Sequence, residues 1–153
     1  MNAKVLGLIS SVAIFMAACS NTCKVDGNGQ NGSVVPGSAE DFKTNVPDTV
    51  YFYFDSAKLS DSAKSRLKAQ ADWLKTYSST KATVEGHTDV RGTAEYNMAL
   101  GTSRADSAMK ELVNNGVAKD RLTVVSYGKE RVVDTGTTEE AHAKNRRAVT
   151  VVE

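Results

Sequence analysis

The chain has 153 residues, of which 41% are hydrophobic and 24% are charged. This composition is typical of a single globular domain and excludes a disordered chain. Nineteen Lys and Arg residues against eighteen Asp and Glu residues give a net charge of +1. Because no basic excess exists to neutralise a phosphate backbone, nucleic acid is not a predicted partner. Two cysteines and two histidines are too few for a disulfide framework or a common zinc site, so we predict no metal and no cofactor.

Residues 1–18 have the pattern of an export signal. Lys4 gives the segment a positive start, a short apolar run follows it, and two alanines precede Cys19. This order is typical of a signal peptide with a cleavage site after its small residues. The apolar run is too short to cross a bilayer comfortably. Removal of residues 1–18 takes away Lys4, the one charge there, and leaves eighteen basic and eighteen acidic residues.

The end of this segment, Phe15–Cys19, resembles a bacterial lipobox, with methionine where leucine is common. The resemblance implies a lipoprotein signal peptide that is cleaved before Cys19, and lipidation of that cysteine. More than one acyl chain is enough for stable anchoring in a membrane. Ser20 stands where an aspartate often retains lipoproteins in the inner membrane, so the outer membrane is favoured. Cys23 is one further thiol, either paired between chains or unpaired in a linker.

The segment 19–46 predicts a lipidated N-terminus followed by a flexible tether. It is rich in Gly, Asn, Ser and Asp and has no sustained hydrophobic period. Gly27, Gly29 and Gly32 have the spacing of a dinucleotide-binding loop, but no convincing strand precedes them and Val34–Gly37 interrupts any following helix. We therefore reject a nucleotide site. A flexible chain of this length spans about 30 Å root-mean-square, enough to hold a domain away from a membrane surface.

Residues 47–153 predict the folded domain. Four segments rich in β-branched and aromatic residues are predicted strands: Thr49–Phe54, Lys81–His87, Leu122–Tyr127 and Arg147–Val152. Three helices alternate with them, capped by Ser60, by Thr93 and by a capping box of Thr137 with Glu140. The second helix runs to about Asn115 and is stopped by Gly116. The order β-α-β-α-β-α-β predicts an α/β fold, a sandwich of one sheet covered by helices.

Three polar groups near loops are candidates for a binding cleft. Arg104 lies on the flank of the apolar face of the second helix. Burial of an arginine there costs free energy unless the guanidinium is paired or solvated. Asp89 follows the second strand, and Arg146 precedes the last one. Together they suggest a cleft for a zwitterion, with Arg104 on a carboxylate and Asp89 accepting from an ammonium group. On this evidence a structural salt bridge or a snorkelling stem is the better explanation of Arg104.

The end of the second strand carries three alternating polar residues, Glu85, His87 and Asp89. Their shared face is one that a metal site or a catalytic site could use. Along a strand, the first and last are about 13 Å apart, which is too far for one ion unless the chain turns. A general base at His87 needs a nucleophile, and no G-x-S-x-G elbow is present. We therefore do not predict a catalytic residue or a metal ligand.

Several segments in order along the chain resemble the OmpA C-terminal-like peptidoglycan-binding family. These are Val50–Asp55, Val84–Thr93, Glu95–Leu100, Arg104-Ala105, Ser126–Arg131 and Ala143–Val149. The resemblance covers Val50 to Val152, nearly the whole domain, and is highly specific because the motifs keep their order. It implies one mixed four-stranded sheet packed by helices. One departure lies at Val132, where proline is common after the arginine.

The resemblance implies noncovalent binding of peptidoglycan through the diaminopimelate of its stem peptide. The residues matching Asp89 and Arg104 hold the two ends of that amino acid, and Asn97 and Leu100 belong to the same motif. Residues at the rim of the family's cleft match Asp55, Asn145 and Arg146. His87 stands where the family often has histidine, so the resemblance requires no metal there. On this basis we expect Arg104→Ala to abolish wall binding and to leave the fold intact.

The lipid-anchored members of this family also imply partners in the periplasm. They bind TolB and other Tol components, on a surface that overlaps the peptidoglycan face, and they help to draw the outer membrane inward during cell division. The first hypothesis is therefore a lipid-anchored link between outer membrane and cell wall. Two alternatives remain: an envelope enzyme that acts on peptidoglycan through His87 and Asp89, and a lipoprotein whose domain meets only TolB.

Overall fold

A computed structural model describes residues 34–153 of the chain. Its helices are α1 (Ala39–Asn45), α2 (Asp61–Thr76), α3 (Ala94–Asn114) and α4 (Glu139–Asn145), with a short 3-10 helix at Lys119–Arg121. Its strands are β1 (Thr49–Tyr51), β2 (Ala82–His87), β3 (Leu122–Gly128) and β4 (Arg147–Val152). The predicted signal peptide, the predicted lipidation of Cys19, Cys23 and the rejected glycine motif lie outside the described residues.

The four strands form one sheet in the order β1-β4-β2-β3. β4 is antiparallel to both of its neighbours, and β2 and β3 run parallel to each other. The prediction of an α/β fold with one mixed four-stranded sheet is therefore confirmed. β2 and β3 are joined through α3, because parallel neighbours need a crossover connection. The carboxyl ends of both strands consequently lie beside the start of α3.

Helix α3 lies unusually close to the sheet, and two glycines make this possible. A Cβ atom on Gly86 of β2 would overlap the carbonyl oxygen of Gly101 of α3. A Cβ atom on Gly101 would in turn overlap the hydroxyl of Ser126 on β3. The Ser126 hydroxyl donates to the carbonyl oxygen of Met98 at 2.8 Å, which holds the helix at this distance. The close approach brings the first half of α3 against the end of β2.

The hydrophobic core lies between the sheet and helices α2 and α3. Leu67 and Leu74 of α2, Leu112 of α3 and Val84 of β2 are fully buried within it. As predicted, Ser60 caps α2 and Thr93 caps α3, each accepting a hydrogen bond from a backbone N–H three residues later. Such caps satisfy N–H groups that the first helical turn leaves without partners.

The predicted tether is wrong in its last part, because residues 39–45 form helix α1. The side chain of Ser38 caps this helix, and Phe42 is fully buried in the core. The Phe42 ring meets Trp73 of α2 edge-on at 4.9 Å between centroids. A seven-residue helix carries too little periodicity to be predicted from sequence, and its stability comes from this tertiary contact. The packed region therefore begins before residue 47.

The predicted boundaries differ from the structure by one residue at the start of β2 and at the end of β3, and they also differ at β1 and α4. β1 ends at Tyr51 rather than at Phe54, because the chain leaves the sheet after Phe52 donates its N–H to the carbonyl oxygen of Arg146. Thr138, not Thr137, caps α4 through the N–H of Ala141. Adjacent threonines offer the same capping chemistry, so their sequence does not distinguish them. Within residues 34–153, no helix has both the length and the apolar character that a membrane span needs.

Candidate functional site

A cleft of about 190 Å³ opens where the end of β2, the start of α3 and the segment after β1 meet. Its lining consists of Phe54, Asp55, Thr88, Asp89, Arg91, Gly92, Tyr96, Asn97, Leu100 and Arg104. Five of the seven residues predicted to bind a ligand are therefore brought together in one cleft, although they lie on three separate segments of the chain. Those five are Asp55, Asp89, Asn97, Leu100 and Arg104.

Asp89 places a carboxylate in the wall of this cleft and is only 4% exposed. Arg91 donates to it twice, from Nη2 to Oδ2 at 2.6 Å and from its backbone N–H to Oδ1 at 3.2 Å. Arg146 Nη1 lies 3.4 Å from Oδ2. Burial by itself raises the pKa of Asp89, but the hydrogen bonds and charge of Arg91, with a hydrogen bond from Arg146, outweigh burial and hold that pKa below its ordinary value. The carboxylate is therefore ionised at neutral pH.

Arg104 places a guanidinium in the same cleft and has no exposed surface. Its three nitrogens donate to three backbone carbonyl oxygens: Nε to Ser56 at 2.9 Å, Nη1 to His87 at 2.9 Å and Nη2 to Tyr53 at 3.2 Å. Burial lowers the pKa of Arg104 to about 10, against the raising effect of the Asp89 charge, so the group stays cationic at neutral pH. Arginine has five N–H donors, and these described carbonyls use three of them.

Asn97 and Asp55 both line the cleft, and hydrogen bonds hold each of them in place. The side-chain amide of Asn97, which is 1% exposed, donates to the carbonyl oxygens of Arg91 at 2.7 Å and Thr93 at 2.9 Å. It therefore fixes the turn that follows Asp89. Asp55 has a left-handed backbone with φ of 51° and accepts a hydrogen bond from the hydroxyl of Tyr96.

The last two predicted residues, Asn145 and Arg146, do not line the cleft. Asn145 is fully buried and holds the loop after β3, because its side chain accepts from the N–H groups of Val133 and Asp134 and donates to the carbonyl oxygen of Asp134. Arg146 lies behind Asp89, with Nη2 2.8 Å from Glu139 and Nε donating to the carbonyl oxygen of Phe52 at 3.1 Å. These residues support the cleft from outside it.

Sequence reasoning missed four side chains that line the cleft: Phe54, Thr88, Arg91 and Tyr96. All four lie within the family motifs, but a sequence pattern does not tell which side chains of a loop face inward. A usable signal existed for Arg91, since a cation two residues after a candidate carboxylate on a turn is placed to pair with it.

His87 is 1% exposed and is not part of the cleft lining described above. Neither of its ring nitrogens has a hydrogen-bond partner among the described residues. Burial lowers the pKa of His87 to about 4, aided by the positive charges of Arg147 and Arg131, so the ring is neutral at pH 7. Within residues 34–153, no three His, Cys, Asp or Glu side chains come together as a possible metal site. Because the His87 ring is buried and lies outside the cleft lining, it has no access to a substrate in the cleft.

Residues 51–146 match the OmpA family. A protein of Mesorhizobium japonicum named peptidoglycan-associated lipoprotein is 41% identical to this chain over 99% of the chain and 92% of its own length. A protein of the same name from Pseudomonas aeruginosa is 38% identical over 94% of the chain and 93% of its own length. The similarity therefore extends well beyond the cleft motifs.

Solved structures agree with these sequence matches. The crystal structure of the peptidoglycan-associated lipoprotein from Burkholderia pseudomallei is 39% identical, covers 70% of this chain and 91% of its own, and has a TM-score of 0.68. The C-terminal domain of MotB from Helicobacter pylori shares the fold at 22% identity, with a TM-score of 0.65 over 70% of this chain and 84% of its own. The chain therefore belongs to the OmpA family, and the two relatives above, which match it over nearly its whole length, carry the name peptidoglycan-associated lipoprotein.

Proposed function

We propose that this chain binds peptidoglycan noncovalently by holding the zwitterionic end of diaminopimelate in the cleft. One observation carries the proposal: a buried carboxylate, Asp89, and a buried guanidinium, Arg104, line the same small cleft. Opposite charges kept out of water on two sides of one cavity are costly unless they serve a ligand or each other. No hydrogen bond or ion pair joins these two groups to each other among the described contacts. Arg104 keeps two N–H donors for a ligand, whereas Asp89 is paired with Arg91 and Arg146.

The free donors of Arg104 fit a carboxylate. One N–H on each terminal nitrogen is left after the bonds to the carbonyl oxygens of His87 and Tyr53. Two N–H groups on the neighbouring terminal nitrogens of one guanidinium can bind a carboxylate with two parallel hydrogen bonds. The three carbonyl contacts hold the guanidinium in place before the ligand arrives, so less ordering entropy is lost on binding.

The other groups of the cleft fit the rest of the amino acid. Asp89 accepts from the ammonium group, and Leu100 gives an apolar surface for the methylene chain. A stem peptide with lysine at the same position offers the ammonium group but lacks the second carboxylate. We therefore expect diaminopimelate-type peptidoglycan to bind more tightly than lysine-type peptidoglycan.

A pull-down with purified diaminopimelate-type sacculi tests this proposal. The full chain is purified in detergent as wild type, as Asp89→Asn and as Asp72→Asn, and the folding of each is checked by circular dichroism. Asp72 is a matched control, because it is an exposed carboxylate of α2 that pairs with Lys68 and Lys75 away from the cleft. We expect Asp89→Asn to lose binding and Asp72→Asn to retain it.

Three results would count against the proposal in different ways. Retained binding by folded Asp89→Asn would move the site elsewhere, towards Asn145 and Arg146. Equal binding of lysine-type sacculi would remove diaminopimelate as the recognised group. Absence of binding by the wild type would favour the alternative in which the domain meets only TolB.

We also propose binding without turnover. His87 is 1% exposed and is not among the residues that line the cleft, so its ring is out of reach of a ligand bound there. Incubation of sacculi with the wild-type protein, followed by chromatography of the supernatant, should release no muropeptides. Released muropeptides that disappear with His87→Gln would instead support the envelope enzyme.

The location that we propose is the outer membrane, with Cys19 lipidated and the domain in the periplasm. This rests on the lipobox resemblance and on the lipoprotein names of the relatives. We further propose that the chain takes part in the Tol system through TolB, and so supports envelope integrity and invagination during division. Mass spectrometry of the wild type and of Cys19→Ser tests the anchor, and competition between TolB and sacculi tests the shared surface.

A further inference from the structure

The side chain of Arg91 lines the cleft and contacts both Asp89 and Phe54. Its Nη2 lies 2.6 Å from Asp89 Oδ2, the shortest contact to that carboxylate. Its guanidinium carbon lies 4.2 Å from the centre of the Phe54 ring. Arg91 is 39% exposed and Asp89 is 6% exposed as side chains. A cation therefore already occupies the place on Asp89 that the ligand's ammonium group needs.

Arg91 is one of four charges in a balanced network. Asp89 and Glu139 each contact both Arg91 and Arg146, at distances between 2.6 and 3.4 Å. Two negative and two positive groups cancel, so an ammonium group added beside Asp89 would leave an excess positive charge around a carboxylate whose side chain is 6% exposed. If the ammonium group replaces one of the two arginines, the balance is kept.

Of the two arginines, Arg91 is the one free to leave. The side chain of Arg146 is 7% exposed and is also held by the carbonyl oxygen of Phe52. Arg91 has neither restraint, since its side-chain partners besides Asp89 are the exposed Glu139 and the exposed ring of Phe54. It can swing outward and keep Glu139, whose side chain is 60% exposed.

We propose that Arg91 is an internal substitute for the ligand's ammonium group, which displaces it from Asp89 when the ligand binds. This inference rests on the proposed function of the cleft and adds a specificity element to it. A ligand that carries its own cation exchanges one ion pair for another. A ligand with a neutral group at that end would have to break the Asp89–Arg91 pair without replacing it, so Arg91 makes the cleft reject such ligands.

Calorimetric titration with a soluble diaminopimelate-containing muropeptide tests the displacement. The full chain is used as wild type, Arg91→Met and Arg91→Lys. Methionine keeps an unbranched stem over Phe54 but removes the competing cation, so we expect about three- to tenfold tighter binding. Lysine restores a competing cation and should return the affinity towards that of the wild type.

Salt dependence gives a readout that a purely structural role of Arg91 would not change. In the wild type, Asp89 is paired before and after binding, so this carboxylate adds little to the salt dependence of the affinity. In Arg91→Met a new ion pair forms on binding, and added salt screens it. We therefore expect the affinity of Arg91→Met to fall more steeply with sodium chloride than that of the wild type.

Lys129→Gln is the matched control for loss of one positive charge at this rim. The Lys129 ammonium group donates to the carbonyl oxygen of Gly92 at 2.8 Å and has no described contact with Asp89. We expect no tightening and no steeper salt dependence in this variant. If Lys129→Gln and Arg91→Met tighten muropeptide binding equally, the tightening is a general effect of losing one positive charge. That result would overturn the displacement of Arg91.

Failure of this inference and failure of the proposed function are distinguishable. Weaker binding by Arg91→Met, with Asp89 still required, would make Arg91 a ligand contact or a positioning residue and would overturn the displacement. Absence of muropeptide binding by the wild type, or unchanged binding by Asp89→Asn, would overturn the function of the cleft itself.

Discussion

The Nη1 group of Arg104 donates to the carbonyl oxygen of His87 at 2.9 Å, across 17 residues of sequence. This bond joins the middle of α3 to the last residue of β2. With the bonds to Tyr53 and Ser56, one guanidinium ties together the three chain segments that surround the cleft. Arg104 therefore stabilises the arrangement of these three segments and also supplies the positive charge of the cleft.

We expect Arg104→Ala to destabilise the folded chain by about 3–5 kcal/mol, since it leaves three carbonyl oxygens without their charged donor and creates a cavity. This revises the expectation, drawn from sequence, that the variant keeps its fold intact. The free energy of unfolding, measured with urea, provides the test. Arg104→Lys keeps the charge but not the three-way geometry and should lie between wild type and alanine.

Arg66→Ala is a suitable control for this measurement. Arg66 is exposed and makes one long hydrogen bond, 3.3 Å, to the carbonyl oxygen of Thr49, so its removal should cost less than about 1 kcal/mol. A similar small cost for Arg104→Ala would show that its carbonyl contacts are dispensable and would leave Arg104 as a ligand-binding group alone.

The buried ring of His87 predicts loss of stability in mild acid. Its pKa falls from 6.5 to about 4 on folding, so between these values the unfolded chain binds a proton that the folded chain does not. Stability is complete above pH 6.5 and decreases as the pH falls towards 4, by up to about 3 kcal/mol. Urea unfolding at pH 7.5, 5.5 and 4.5 measures this slope.

His87→Phe should flatten the slope over that range, because phenylalanine keeps the stacking against Tyr127 and cannot be protonated. His142→Gln, at the other histidine of the chain, should retain the slope. The lowered pKa of the Asp89 carboxyl contributes at lower pH, below its ordinary value, so it does not produce this effect. A slope unchanged by His87→Phe would assign the acid sensitivity to other groups.

Removal of the Phe42 side chain tests whether α1 is part of the folded domain. Phe42 is fully buried against Trp73, so Phe42→Ala should cost about 3–4 kcal/mol of unfolding free energy. Lys43→Ala, at the next and exposed position of the same helix, should change stability by less than about 0.5 kcal/mol. Equal small effects in both variants would show that α1 adds little to the fold, in agreement with the sequence-based prediction of a flexible tether as far as residue 46.

Elements with strong local signals were predicted well, and elements that depend on distant contacts were not. β4 has the predicted bounds, and α3 begins after Thr93 and ends before Gly116, whose φ of 99° suits glycine. In contrast, α1 is stabilised by the contact of Phe42 with Trp73, 31 residues away. β1 ends at Tyr51, and the carbonyl oxygens of Tyr53 and Ser56 in the segment after it accept from the distant Arg104.

The candidate site shows the same division. The motifs correctly placed Asp89, Asn97 and Arg104 around one cleft. They did not predict that the donors of Arg104 are shared with backbone carbonyls, or that Arg91 covers Asp89. Both facts depend on where loop backbones lie after folding, and residue type and spacing do not contain that information.

The interior position of β4 has a consequence for how the sheet forms. Val149 is paired with Thr49 of β1 on one side and with Glu85 of β2 on the other, the first of these partners being 100 residues earlier in the chain. Within residues 34–153, β1 has no other strand as neighbour. A growing chain that still lacks β4 therefore has a gap in the middle of its sheet and cannot complete its core. Such a chain stays open until β4 enters the sheet between β1 and β2.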